Sequence, residues 1–168
     1  MVGGSILPSG PARIGLGAYD AWMALVHDRA SRQELEQRVR SLRADSRGRW
    51  GRMSIDQMLW HVNQAMEIAL GDASVPGGRS LLPGGVLKFM VLRLPWVKGA
   101  PTHPSFVPKA TYDFAEQQER CLHLIEALAN KPIDGAWPVH PIFGRMTGRE
   151  VSRLMAKHLD HHLRQFGV

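Results

Sequence analysis

Three of the chain's eight histidines fall within a single run of five positions, in "KHLDHHLRQFGV". At neutral pH an imidazole offers an uncharged nitrogen lone pair to a metal ion and can also carry a proton, so such a cluster is a chemical signal. On a helix each residue advances about 100°, which sets His158 and His162 about 40° apart and one turn up, where both rings can reach one point. The same stripe runs back through Val151, Leu154 and Met155 and forward to Gln165, so the pair belongs to an inward face and Asp160 points away from it. His161 stands about 60° from His158 and keeps an i,i+3 pairing open. Nearer the stripe's edge, it is expected, like Gln165, to support the ligands rather than bind the ion.

A metal site in a helical core needs a ligand from a facing helix. His61 is the candidate, because its stripe of Ser54, Met58, Ala65 and Ile68 is largely apolar and a buried imidazole there must find a hydrogen-bond partner or a metal. Taken alone, a satisfied core histidine is the plainer reading; beside the HxxxH pair, a metal ligand becomes the sharper one. Imidazole ligands suit Zn, Ni, Fe or Cu, with Zn, Ni and Fe the expected ions, and three of them leave positions open to water or a substrate atom. The chain has no HExxH glutamate to mark a metalloprotease. Its single cysteine, Cys121, can supply neither an internal disulfide nor a thiolate cluster.

The elements that must carry these residues read as helices. "SRQELEQRVRSLRA" places Leu35, Val39 and Leu42 at helical spacing, with Ser31 and Glu34 as a capping box. A second helix starts at the Ser54 cap and stops at Gly71. "KATYDFAEQQERCLHLIEALANK" is the third, and the fourth runs from the Thr147 cap, with Glu150 completing a box, to Gly167. Between the second and third lies a Gly/Pro-rich excursion, "SLLPGGVLKFMVLRLPWVKGAPTHPSFVP", apolar nearly all round except Lys88 and Arg93. No stretch shows strand alternation, so the expected fold is an all-α four-helix bundle over residues 29–168, preceded by a flexible or partly helical leader over residues 1–28. The excursion is expected to cover the bundle or to form a homodimer face.

At 168 residues one domain is the expectation. No apolar run approaches the ~20 residues of a membrane span and no signal peptide is legible, so the expected setting is cytoplasmic, with Met23 as an alternative start. A net charge of +6 raises a nucleic-acid reading. However, Asp28, Glu34, Glu36 and Asp45 interleave with the arginines of "DRASRQELEQRVRSLRADSRGRWGR", no aromatic stacking series accompanies them, and a solvated helix is the plainer account. An anionic small-molecule partner remains compatible with the charge, beside a small-molecule substrate of unspecified charge.

Other groups weigh less. Cys121, beside Leu122 and Ile125, reads as an inert core thiol. His103 and His140 each precede a proline and read as turn residues or as groups at a pocket mouth. One of Glu116, Gln117, Gln118 and Glu119 could face the site from the third helix. His27 and His123 have no evident partner and read as surface or core residues; Phe143 and Gly144 fix a turn, and Trp96 and Phe89 form a pocket wall or a dimer face.

"SIDQMLWHV" together with "HLDHHLRQF" resembles the DinB-like superfamily of metal-dependent four-helix bundles. "RWGRMS", "LPWVKGAPTHP" and "HPIFGRMTGRE" extend the likeness, toward an uncharacterised branch, over roughly residues 31–168. The resemblance implies a three-histidine site of His61, His158 and His162, with His161 at a commonly histidine position that is not normally a ligand. It also implies a thiol S-transferase-like or hydrolase-like enzyme in which a bound divalent ion activates a low-molecular-weight thiol or water. The alternative from another class is a non-catalytic binding or stress-response module with a structural metal or a polar histidine core.

Overall fold

Polar caps begin four of the helices and set where each one starts. α1 (Arg29–Ser41) is capped by Asp28, whose carboxylate accepts from the Ser31 amide at 2.8 Å. The expected box at Ser31 is thereby corrected: the acidic residue three positions earlier is the stronger acceptor and starts the helix sooner. α2 (Ile55–Leu70) opens at Ser54, whose amide donates to Gln57 Oε1 at 3.2 Å, and closes on Gly71 at φ +93°, a left-handed turn that glycine adopts without strain. α4 (Phe114–Asn130) is capped by Asp113, and α5 (Gly148–Gln165) by Thr147 in a box with Glu150. The fifth helix, α3 (Gly84–Arg93), is the short one in the excursion, and a single 3-10 turn at Pro104–Phe106 follows it.

The computed structural model describes residues 24–74, 83–99 and 104–168. Among these the chain is all-helical, with one isolated bridge between His140 and Gly144 and no strand. The residues up to 23, which include most of the expected leader and the first half of "AYDAWMALVHD", lie outside the described part, as does His103.

α1 and α2 each pack on both α4 and α5, which closes a four-helix ring, and α3 lies on α5. The apolar stripes meet inside: Val39, Met58, Leu59, Val62, Ile125, Leu128, Leu159 and Leu163 are fully buried. Each such side chain contributes about 1.5–3 kcal/mol of transfer free energy. Polar ties then fix the helices against one another. His27, read from sequence as having no evident partner, links three elements: its Nε2 donates to the Lys131 carbonyl at 2.8 Å and its Nδ1 meets the Ser152 hydroxyl at 2.9 Å. His123 is exposed.

Two of the arginines of α1 are engaged. Arg32 pairs with Glu36 at 3.6 Å, and Arg38 reaches Asp160 of α5 at 2.8 Å. α3 is held by Leu92, by the Lys88 to Glu150 pair at 3.1 Å, and by Lys157, which donates to the Val91 and Leu94 carbonyls at 2.7 and 2.6 Å. Those two bonds satisfy carbonyls at the end of α3 that have no partner within the helix. Among the described residues no helix is long and apolar enough to cross a membrane.

Candidate metal centre

α2 and α5 carry their histidines to one place between them. The rings of His61, His158 and His162 form a triangle whose three centroid separations are each 4.9 Å. One nitrogen from each lies within 4.8 Å of the other two, close enough for ligand bonds of about 2.1 Å to one ion after a small ring rotation. His61 and His162 are buried and His158 is partly so.

The far side of two rings decides which nitrogen faces inward. His61 Nδ1 lies 2.9 Å from the carbonyl of Phe106, an oxygen that can only accept, so Nδ1 carries the proton and Nε2 keeps its lone pair. His162 Nδ1 lies 2.7 Å from Gln165 Oε1, and the Gln165 amide is itself oriented by donating from Nε2 to the Trp50 carbonyl at 2.7 Å. His162 is therefore also an Nδ1–H tautomer with a free Nε2 lone pair. His61 Nε2 and His158 Nε2 stand 3.0 Å apart, a distance that either a shared proton or an ion between them must account for.

Burial reinforces the neutral forms. Desolvation is the main cause holding all three below the ordinary histidine value; for His162, with the neighbouring His61 adding to it, the pKa falls to about 3. Three neutral imidazoles with convergent lone pairs, two of them anchored through their outer N–H, are a donor set that fits a divalent cation.

The other predicted residues fall out as follows. His161 lies outside the triangle, 5.2 Å from the His162 ring, with its edge against Trp50 and Trp96. Gln165 touches the triad only through its bond to His162. The group on α4 is placed elsewhere: Gln117 accepts from Asn63, Gln118 Nε2 donates to the Val39 and Leu42 carbonyls at the end of α1, and Glu116 and Glu119 are exposed. The support comes instead from the main chain at Phe106 and Trp50, which no side-chain pattern can reveal. Gly51, at φ +82°, is a further missed residue, since a Cβ there would collide with the Gln165 amide.

His140 is a turn residue: its Nδ1 accepts from the amides of Ile142 and Phe143 at 3.1 and 3.3 Å, and burial lowers its pKa to about 4. Phe143 stacks on it and Gly144 turns the chain at φ +70°. Cys121 is fully buried, and desolvation pushes its thiol up to about 12, so it is no nucleophile.

Beside the triad lies a cavity of about 200 Å³ lined by Trp50, Pro95, Trp96, Lys98, Lys157, Asp160, His161 and Arg164. Trp96 is the partition, its ring 5.4 Å from His158 and 5.6 Å from His161. The expectation of Trp96 as a pocket wall describes this place, whereas Phe89 is exposed on α3.

No curated protein and no solved structure matches the chain. A family model does, over residues 27–167, a span that holds all three triad histidines and the whole helical ring. The chain belongs to the family described as Protein of unknown function (DUF1569).

Proposed function

We propose that His61, His158 and His162 hold one divalent cation through their Nε2 atoms, and that the protein is a metal-dependent enzyme of thiol-transfer or hydrolytic type acting on a small molecule. The observation that carries the reading is the pair of outer hydrogen bonds, His61 to Phe106 and His162 to Gln165, which turn two lone pairs toward the third ring. The resemblance of the second-helix and last-helix motifs to DinB-like bundles supports it from a separate direction. A cation bound there would lower the pKa of a coordinated thiol or water and so supply a nucleophile at neutral pH. The chain's own part is to orient the rings, to keep them neutral by burial, and to leave the side facing Trp96 and His161 for a reactant.

The test is metal content by mass spectrometry on protein purified without added metal, beside the His61→Ala, His158→Ala and His162→Ala variants. About one ion per parent chain, lost in each variant with helicity retained, is expected. Full occupancy in any variant removes that residue from the ligand set.

The 3.0 Å separation between His61 and His158 also suits a proton shared between two neutral rings, and on this observation rests the rival, a non-catalytic module with a polar histidine core. A parent that holds no metal and takes up neither Zn nor Ni would establish that rival.

A further inference from the structure

The cavity next to the triad is unusual in its charge. Lys98, Lys157 and Arg164 line it against a single acid, Asp160. That carboxylate is already shared between Arg38 at 2.8 Å and Arg164 at 3.0 Å, so the wall as a whole keeps an excess of positive charge, most openly at Lys98. Both indoles in the wall carry an ammonium over the ring: Lys98 Nζ stands 4.6 Å from the Trp50 centroid and Lys157 Nζ 5.7 Å from that of Trp96. Cations seated on ring faces leave apolar edges and a positive potential in the same small space.

We infer that this cavity binds a small organic anion, a carboxylate joined to a compact apolar or ring-shaped body. The charge selects the anion, since an incoming ammonium would meet Lys98 and Arg164. The two indoles select the body, because flat apolar groups gain most against aromatic walls. The volume selects the size: about 200 Å³ lies below the ~300–1,000 Å³ of drug-sized pockets, so the occupant is a small metabolite rather than a peptide or a nucleotide.

Position gives the site its meaning. His161 and Trp96 line the cavity and also touch the triad, the first against His162 and the second against His158. A molecule anchored by its carboxylate near Lys98 and Arg164 would present its other end to Trp96 and His161, the two residues that stand between the cavity and the triad. That this occupant is the substrate rests on the reading above; that the cavity takes an anion does not, because none of its lining residues is a proposed ligand.

The experiment is calorimetric titration of benzoate into chelator-treated protein, with benzamide as the uncharged analogue of the same shape. Binding of benzoate at least tenfold tighter than benzamide is expected, with a loss of fivefold or more in Lys98→Gln and in Arg164→Gln. Lys98 is exposed, so its replacement leaves the fold intact, as circular dichroism would verify. Absence of benzoate binding, equal affinity for the two analogues, or full affinity in Lys98→Gln overturns the inference. Because the metal is stripped beforehand, these outcomes are independent of whether the triad holds an ion.

Discussion

Gln165 donates its amide to the carbonyl of Trp50 at 2.7 Å, across 115 residues of chain, and so sets the proton on His162. With the nitrogen end of the amide committed to Trp50, only the oxygen end can face the ring, and an oxygen there requires an Nδ1–H. A loop carbonyl far from the last helix in sequence thus determines which lone pair reaches the site.

Gln165→Leu should therefore weaken zinc binding about 10- to 100-fold, the range typical of lost outer partners of metal-bound histidine. The same change strands the Trp50 carbonyl and the His162 N–H, at about 1–3 kcal/mol each if water does not replace the lost partner. Competition titration against a chromophoric chelator measures the first effect and urea unfolding the second. Unaltered zinc affinity would show that His162 needs no orienting group.

Gly51→Ala tests the same contact from the other side. A left-handed backbone costs an L-residue about 1–2 kcal/mol, and the new methyl would in addition push against the Gln165 amide. Gly99→Ala is the control: its φ is +73°, but a Cβ there meets open space. Both variants should lose stability, while only Gly51→Ala should lose zinc affinity.

His140 should make the fold sensitive to acid. Its folded pKa, lowered to about 4 by burial, lies below the ordinary 6.5, so the unfolded chain binds the extra proton first. The neutral ring's contribution is complete above 6.5 and is lost as pH falls from there to about 4, amounting to no more than about 3 kcal/mol. Unfolding free energies of the chelator-treated protein across that window should fall less steeply in His140→Asn, which keeps a side-chain acceptor for the Ile142 and Phe143 amides. Equal slopes would mean that His140 titrates normally.

Cys121 should be inert. A disulfide-exchange reagent should label no thiol in the native protein within minutes and one per chain in denaturant, because only the thiolate reacts and burial holds the group protonated. Cys121→Ala should keep the metal content of the parent. Rapid native labelling would place the thiol at the surface instead.

Local periodicity is enough for much of the architecture. The stripes of α1, α2, α4 and α5, the stops at Gly71 and Gly167, and the cap at Thr147 are legible because each depends on residues within one or two turns. The start of α1 is less legible, since Asp28 and Ser31 both have the chemistry of a cap and the backbone decides between them.

By itself the sequence determined that His158 and His162 share a helix face, because an i,i+4 pair is brought together by the helix repeat alone. It could also nominate His61, as a polar ring in an apolar stripe, although nothing in a stripe tells which helix it will face. Only the tertiary structure decided that His61 closes the triangle, that Phe106 and Trp50 supply the carbonyls behind it, and that Lys98 and Arg164 meet across one cavity. The reason is physical: main-chain acceptors are the same at every residue and carry no sequence signal, and long-range contacts exist only once the buried faces of α2, α4 and α5 have chosen their packing.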